Sequence, residues 1–187
     1  KADRLDVLER LAVLEEQADV RWTVLGEAAR LATELEEDDR AIWAWEGRLE
    51  TTPSDPEALD ALALLFEKAE RWRALIDTLT RRSQLATAGT AREDQVRVAN
   101  VLSEKLDATE EAIETWRGVE RAFGESDDGT RSLAALFRST RRWVELAELL
   151  ASAASRCGDG SEKAELLREL GDVQREQLDA AGEAITS

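Results

Sequence analysis

The sequence predicts an all-α protein, an α-solenoid of antiparallel helix pairs with about ten helices and no β-sheet. Three observations lead to this fold class. The chain matches itself when it is shifted so that Leu62 falls on Leu133, and good helix formers such as Ala, Leu, Glu and Arg dominate its 187 residues. No segment alternates between apolar and polar residues for long enough to form a strand. We call the shift from Leu62 to Leu133 the superrepeat shift.

The superrepeat shift is visible in three motifs that keep their residue types. Leu62-Ala63-x-Leu65-Phe66 returns as Leu133-Ala134-x-Leu136-Phe137, Arg71-Trp72 as Arg142-Trp143, and Ala41-Ile42-x-x-Trp45 as Ala112-Ile113-x-x-Trp116. A fixed period of this kind is typical of stacked supersecondary units. We therefore expect one solenoid domain over 1–187, with superrepeats at approximately 20–90 and 91–160 and partial units at both ends.

A shorter period divides each superrepeat into two units of two helices. Small residues recur at nearly equal intervals of half the superrepeat shift, at Ala28, Ala63, Ala99, Ala134 and Gly171. A second series, at Ala41, Leu75, Ala112, Leu146 and Ala184, is followed four residues later in its first four members by Trp45, Leu79, Trp116 and Leu150. Residues four apart share one face of a helix, so each unit contains two amphipathic helices.

Turn residues separate the predicted helices. Asp55 followed by Pro56 predicts a capped helix start, an Asp within 36–39 is a candidate cap, and Ala88-Gly89-Thr90 and Gly124 indicate breaks. The predicted helices are 3–18, 20–36, 39–51, 56–69, 71–86, 91–106, 108–122, 128–139, 142–156, 161–178 and a short stub from 180. The first of these matches a later helix only in part, when Arg4-Leu5 is placed on Arg71-Trp72.

These units resemble tetratricopeptide repeats, which are helix pairs of about 34 residues. Ala41, Trp45 and Pro53 follow Leu25-Gly26 with the relative spacing of that family's Ala, aromatic and closing Pro. Gly124 replaces the closing Pro in the second superrepeat, and two unit types alternate. The resemblance covers nearly the whole chain and implies a right-handed superhelix that binds peptide or protein partners in its concave groove.

Charge and hydropathy exclude two classes of partner. The formal net charge is -16, whereas nucleic-acid binding and anionic membranes both require clusters of Lys and Arg. No apolar run approaches the roughly 20 residues that span a bilayer. We therefore expect no nucleic-acid partner and no membrane insertion. A soluble protein is expected, and of the possible compartments the cytoplasm is favoured.

The residue types also argue against catalysis and cofactors. The chain has no His and no Tyr, and its single cysteine, Cys157, lies in a turn sequence. No paired-cysteine zinc spacing and no Gly-rich phosphate loop occur. Asp127-Asp128-Gly129 and Asp159-Gly160-Ser161 lack the remaining ligands of a calcium loop. We expect no enzyme activity, no metal site and no cofactor.

Two tryptophans stand outside the repeat. The counterparts of Trp22 and Trp43 one superrepeat later are Glu93 and Glu114, which suggests exposed positions. Exposed Trp is enriched at binding hot spots. The alternative is that both side chains cover the incomplete N-terminal end, whereas the recurring Trp45, Trp72, Trp116 and Trp143 are expected in the core.

The resemblance implies that the groove is lined by the first helix of each unit. The candidate partner-binding residues are Trp22, Leu25, Trp43, Asn100, Arg131, Arg138, Arg168 and Arg175. The four arginines lie toward the C-terminal end, so the expected groove is split by charge and would orient a peptide with its acidic end toward them.

Several expectations concern the ends and the function. The chain contains no Met and begins and ends within helical patterns, so we expect a fragment of a longer array. An uncapped apolar end would also pair with another copy as a homodimer. The predicted function is a protein-interaction scaffold without catalysis. The alternatives are an architectural spacer or oligomerisation segment of the array, and a regulatory domain of an enzyme located elsewhere in the parent chain.

Overall fold

The computed structural model describes residues 1–175, and this part of the chain is all-α, with ten helices and no strand. The helices are α1 (Ala2–Leu14), α2 (Ala18–Glu34), α3 (Asp38–Thr51), α4 (Pro56–Lys68), α5 (Trp72–Leu85), α6 (Ala88–Glu104), α7 (Thr109–Phe123), α8 (Asp127–Ser139), α9 (Trp143–Arg156) and α10 (Gly160–Val173). The predicted fold class of stacked helix pairs is confirmed. The stub predicted from 180, with Ala184, lies outside the described residues.

The superrepeat recurs in the helices themselves. Under the superrepeat shift, the bounds of α2 to α5 agree with those of α6 to α9 to within one residue, and the start of α6 agrees equally well with that of α10. The same shift moves the end of α1 at Leu14 onto the end of α5 at Leu85. Helix ends therefore align α1 with α5 by the superrepeat shift. This alignment, with Leu14 on Leu85, differs from the predicted one that placed Arg4-Leu5 on Arg71-Trp72.

The chain divides into two compact units, Lys1–Asp107 and Ala108–Ser187. In unit 1, each of the helices α1 to α6 packs against the next one along the chain. In unit 2, α7 to α10 do the same. One continuous domain over the whole chain, and the right-handed course of its superhelix, stay predictions.

The core of each unit consists of the residues that recur with the short period. The small residues Ala28, Ala63, Ala99 and Ala134 are buried, and so are the large residues three positions later, whereas Gly171, the fifth member of the series, is exposed. Trp45 and Trp116 are buried in the second helix of their pairs, whereas Trp72 and Trp143 are half-buried at helix starts. The apolar stripes predicted from the sequence therefore build the helix-to-helix contacts.

Four of the turns between successive helices contain one residue in the left-handed backbone region. These residues are Glu36, Glu70, Asp107 and Arg141, with φ between 51° and 58°. The superrepeat shift places the first on the third and the second on the fourth. In two of the turns the N–H of the next residue, Arg71 or Arg142, donates to the carbonyl of a Phe five residues earlier at 2.8 Å. This bond closes the helix end in the manner of a Schellman motif.

The structure changes some of the predicted boundaries. Helix α1 ends at Leu14 instead of 18, because Glu15 takes an extended conformation and its carboxylate accepts the N–H of Gln17 at 2.9 Å. Ala88-Gly89-Thr90, predicted as a break, forms the first turn of α6. Glu37 rather than an Asp precedes α3. Asp55 is a cap as expected: its side chain accepts the backbone N–H groups of Glu57 and Ala58.

Candidate functional site

A cluster of charged and aromatic side chains joins α2, α3 and α4 in unit 1. Its centre is the guanidinium of Arg48, which is 2% exposed. Arg48 Nη2 lies 2.5 Å from Asp55 Oδ2, and Arg48 Nη1 lies 2.9 Å from Glu57 Oε2. The indole of Trp22 covers the guanidinium at 4.0 Å from the ring centroid, and Trp22 Nε1 donates to Asp55 Oδ2 at 3.0 Å. Both charge and ring contacts therefore hold Arg48 in place.

Two further residues complete this cluster. Arg30 donates to both carboxylate oxygens of Glu57, at 2.7 and 2.6 Å. The hydrogen bonds from Arg30, and then those from Arg48, lower the pKa of Glu57 below its usual value. Gly26 lies against Arg48, since a Cβ atom at Gly26 would come within 2.7 Å of Nη1. The absence of a side chain at this position is what allows the guanidinium to lie between the helices.

The cluster explains why Trp22 has no counterpart in the second superrepeat. There Arg48 is replaced by the buried Val119, and Trp22 is replaced by Glu93. Without a guanidinium to cover, no indole is required. Sequence reasoning did not find this cluster, although a charged residue three positions after Trp45, on the apolar stripe of α3, was an available signal. Trp22 is half-buried and engaged in packing.

Leu25 is not a surface residue, which contradicts the expectation that it contacts a partner. It is buried, and its methyl groups lie against Gly47 of α3, where a Cβ atom would meet Leu25 Cδ1 at 3.1 Å. Gly26 and Gly47 let α2 and α3 approach closely, which buries the face of α2 that was expected to line a groove. From residue 23 onward, the exposed residues of α2 are instead Thr23, Glu27, Arg30, Thr33 and Glu34.

An open groove of about 580 Å³ runs between α2 and α4 in unit 1. Its charged and hydroxyl residues belong to these two helices, and Trp45 of α3 also lines it. Leu64, which is 65% exposed, provides its apolar surface together with Ala61. The lining residues of this α2–α4 groove are Arg30, Thr33, Glu34, Trp45, Glu57, Asp60, Ala61 and Leu64.

Asn100 lies on α6, next along unit 1, and its side chain is half-buried. Ion pairs tie the same helix to its neighbours: Arg97 pairs with Glu67 of α4 at 2.5 Å, and Arg82 of α5 pairs with Asp94 at 2.5 Å. The hydrogen bonds from Arg82 to the buried Asp94 raise the pKa of Arg82. These ion pairs hold α6 against α4 and α5, and the role of Asn100 toward a partner stays a prediction.

The four predicted arginines all lie in unit 2 and are exposed. Three of them pair with nearby carboxylates: Arg131 with Asp128, Arg138 with Glu169, and Arg175 with Asp172. Arg168 has no carboxylate partner within residues 1–175. An acidic ligand would have to compete with the internal carboxylates at three of the four sites. The binding of an acidic segment by these arginines stays a prediction.

Trp43 is exposed, as predicted, with 41% of its surface accessible. It lies on α3 beside the C-terminal half of α1, in an open apolar groove of about 600 Å³. Val13 and Leu14 of α1 form the opposite side of this groove. The two unmatched tryptophans therefore have different environments. Trp22 covers Arg48, whereas Trp43 faces solvent.

The described residues contain no arrangement suited to a metal ion or a reactive thiol. Within residues 1–175, no group of three or more Asp, Glu, His or Cys side chains is arranged to hold a metal ion. A hydrogen bond with Glu162 raises the pKa of the Cys157 thiol, which disfavours the reactive thiolate. In the same part of the chain, no helix has the length and apolar character needed to cross a membrane.

No family model matches the sequence, and no curated protein is similar to it in sequence. Among solved structures, MamA is similar over 94% of this chain and 89% of its own, with 10% identity and a TM-score of 0.47. YrrB, described as a TPR protein with an unusual peptide-binding site, matches 86% of this chain and 90% of its own, with 13% identity and a TM-score of 0.47. PilF of Pseudomonas aeruginosa matches 99% and 90%, with 14% identity and a TM-score of 0.48.

These identities and scores support no conclusion about function. The fold is instead assigned from this chain's own helices. Their left-handed turn residues, Glu36, Glu70, Asp107 and Arg141, follow one another at close to the spacing of about 34 residues that is typical of tetratricopeptide repeats. Small residues are buried where paired helices meet. In its described residues, this protein is a tetratricopeptide-like array of helix pairs.

Proposed function

We propose that this chain is a protein-interaction scaffold that binds a segment of a partner protein in the α2–α4 groove, without a catalytic step. The observation that carries the proposal is the exposed Leu64, which lines an open groove together with Ala61 and charged residues of α2 and α4. An apolar side chain at the centre of a polar surface provides the desolvated contact on which peptide binding depends. The neighbouring helices hold this surface in a fixed shape through the Arg48 cluster.

The charges of the groove favour a ligand with basic residues. Three carboxylates, Glu34, Glu57 and Asp60, line the groove, against the single guanidinium of Arg30. Arg30 is already held by Glu57, whereas Asp60 is largely exposed and its carboxylate can accept further hydrogen bonds beside that from Arg82. The net charge of -16 also attracts basic segments over a longer range. We therefore infer a ligand with one apolar side chain flanked by Lys or Arg.

The test is selection of binders from a random peptide library displayed on phage, with this chain as the target. The selected peptides are expected to contain an apolar residue next to Lys or Arg. Leu64→Glu should weaken their binding at least about tenfold, because the apolar contact is worth roughly 1.5–3 kcal/mol. Leu85→Glu is the matched control, since Leu85 is similarly exposed on α5 of the same unit and lies outside the groove.

Two results would contradict the proposal. If the selection gave no enriched peptides, the alternative of an architectural spacer would be favoured. If Leu64→Glu and Leu85→Glu had equal effects, binding would not take place in the α2–α4 groove. Circular dichroism of both variants shows whether each one keeps the wild-type helix content.

A further inference from the structure

An ion pair of two half-exposed side chains bridges the α2–α4 groove. Arg30 extends from α2 and Glu57 from α4, and both residues line the groove. Arg30 Nε donates to Glu57 Oε1 at 2.7 Å, and Arg30 Nη2 donates to Glu57 Oε2 at 2.6 Å. The two side chains are 53% and 43% exposed. The guanidinium therefore binds both oxygens of a carboxylate that solvent also reaches.

The internal repeat shows that the helix stack does not require this ion pair. The superrepeat shift moves Arg30 onto Val101, which is buried and has no charge to offer. The apolar centre of the groove does not recur either, because the same shift moves Leu64 onto Ala135. Helix pairs thus form in the second superrepeat without an arginine at this position. Arg30 and Leu64 are both specific to the α2–α4 groove.

The release of Arg30 would leave Glu57 with a second cation. Arg48 Nη1 lies 2.9 Å from Glu57 Oε2, so the carboxylate keeps a buried guanidinium beside it when Arg30 moves away. The released side chain of Arg30 is hydrated in open solvent, and ion pairs with this degree of exposure contribute little to stability. The contact with Glu57 can therefore exchange Arg30 for another guanidinium at little cost.

The position of Glu57 suits a ligand that also contacts Leu64. The two residues lie two turns apart on one face of α4, which separates them by about 10 Å along the helix. An extended segment advances about 3.3 Å per residue. An arginine two to four residues from the apolar side chain can therefore reach Glu57 while that side chain packs on Leu64. Asp60, between the two positions, adds negative charge along this path.

We propose that Arg30 occupies the subsite of the α2–α4 groove for a ligand arginine, and that binding of the partner segment displaces Arg30 from Glu57. The inference rests on the proposed function of the groove and specifies the basic residue of its ligand. Arginine is preferred over lysine, because a guanidinium reproduces both parallel hydrogen bonds to Glu57. The chain's own Arg30 is thus an internal competitor that lowers the affinity of the groove.

The probe is a labelled peptide from the phage selection, prepared with arginine, lysine or citrulline at its basic position, and fluorescence polarisation measures each Kd. Arg30→Gln should raise the affinity for the arginine peptide about three- to tenfold, because the competitor for Glu57 is removed. The citrulline peptide, which has the shape of arginine without its charge, should show no such gain. Arg71→Gln is the matched control, since it removes the same charge from a similarly exposed ion pair outside the groove. It should change the affinity less than about twofold.

Glu57→Gln tests the other member of the ion pair. This change should weaken binding of the arginine peptide at least about tenfold and leave that of the citrulline peptide within about twofold. In the wild type, the lysine peptide should bind at least about threefold more weakly than the arginine peptide. Opposite effects of Arg30→Gln and Glu57→Gln indicate competition for one carboxylate, whereas a purely structural ion pair would give effects of the same sign. If circular dichroism shows that Arg30→Gln has lost helix content, Glu57→Gln and the lysine peptide decide the question.

Three results would overturn the inference. The first is unchanged or lower affinity of Arg30→Gln for the arginine peptide while Leu64→Glu still weakens binding; the proposed function then stands, and the role of Arg30 is wrong. The second is an equal gain for the arginine and citrulline peptides, which would show that Arg30 only obstructs the groove. The third is binding that does not depend on Leu64, which contradicts the proposed function and this inference together.

Discussion

At the scale of residues, the packing of α2, α3 and α4 converges on Arg48. Its guanidinium is buried between Trp22 and the carboxylates of Asp55 and Glu57. Removing one member of a buried ion pair is costly, because the opposite charge stays buried without a partner. The cluster therefore couples the three helices that form the α2–α4 groove.

Arg48→Ala is expected to lower the free energy of unfolding by about 3–5 kcal/mol, since Asp55 is left buried without its cation. Arg71→Ala, which removes an exposed ion pair to Asp39, should cost at most about 1 kcal/mol. Urea denaturation followed by circular dichroism measures both values. Equal effects of the two changes would show that Arg48 contributes no more than a surface ion pair.

Gly26 gives a second test of the Arg48 cluster, and Gly118 of α7 is the control. Gly26→Ala should destabilise the protein by about 1–3 kcal/mol, because the new methyl group meets Arg48 Nη1 while Asp55 and Glu57 restrain the guanidinium. Gly118→Ala should stabilise it by about 1 kcal/mol, since this residue of α7 has open space around it and Ala favours helix. Thermal unfolding of the two variants is the measurement. A stabilising effect at Gly26 would contradict the described placement of Arg48.

Glu120 of α7 is expected to destabilise unit 2 at neutral pH. Burial raises its pKa, although Arg156 and Arg117 oppose this, and Oε1 has no hydrogen-bond partner among the described residues. Because the folded-state pKa of Glu120 lies above the unfolded value, its destabilising effect is largest at high pH and disappears as the pH falls below the unfolded pKa. Glu120→Gln should thus stabilise by up to about 1 kcal/mol at neutral pH, and not at acidic pH.

The control for this pH dependence is Glu145 in the same unit. A hydrogen bond from Arg142 lowers the pKa of Glu145, so its stabilising contribution is present above the unfolded pKa and lost as the pH falls through the folded value. Glu145→Gln should therefore destabilise at neutral pH and have little effect at acidic pH. Urea denaturation curves at a series of pH values separate the two cases, and changes of the same sign would refute this assignment.

The residue scale is also where sequence reasoning reached its limit. The spacing of small and large residues identified the buried positions, because burial repeats with the helix pairs. The sequence placed Trp22 and Leu25 on a binding surface. It does not show the close approach of α2 and α3 at Gly26 and Gly47, because this approach is a three-dimensional contact. A single sequence with an internal repeat shows that Trp22 is unmatched, and only the structure shows the guanidinium that it covers.

At the scale of elements, the predicted helices that lie within residues 1–175 are confirmed with small shifts at their ends. Asp55-Pro56 gave a correct start for α4, since both residues have a direct local effect on the helix end. Glu15 and Ala88 lie where the chain has no such signal, and there the predicted ends were displaced. The left-handed turn residues were not predicted, because Glu36, Glu70, Asp107 and Arg141 include no Gly or Asn, the residues that usually indicate this conformation.

Glycine should be favoured in these turns. Glu70 has φ of 53°, and its exposed side chain has no tertiary role in the described contacts. The left-handed conformation costs an L-residue roughly 1–2 kcal/mol, and this exceeds the entropy that glycine gains in the unfolded chain. Glu70→Gly should therefore stabilise by about 0.5–1 kcal/mol. Asp77→Gly, within α5, should destabilise by about 1 kcal/mol. Chemical denaturation measures the free energy of unfolding of both variants. A decrease in both would contradict the prediction for Glu70→Gly.

At the scale of the whole molecule, each unit presents distinct surfaces. Unit 1 combines the α2–α4 groove with exposed apolar residues on α1, and unit 2 carries the exposed arginines. The sequence predicted an interaction scaffold from the repeat and from the absence of His and Tyr. In unit 1 it placed the candidate binding residues at Trp22, Leu25, Trp43 and Asn100 and not in the α2–α4 groove, because that groove depends on which residues of α2 stay exposed after α3 packs against it.

The central claim is that the α2–α4 groove binds a basic segment with one apolar side chain. The most direct measurement is a titration of the ¹⁵N-labelled chain with a selected peptide, followed by ¹H–¹⁵N correlation spectra. We expect saturable shift changes at the amides of Arg30, Thr33, Ala61 and Leu64, and none of these changes in the Leu64→Glu variant. Shift changes confined to α1 and Trp43, or to the arginines of unit 2, would contradict the claim.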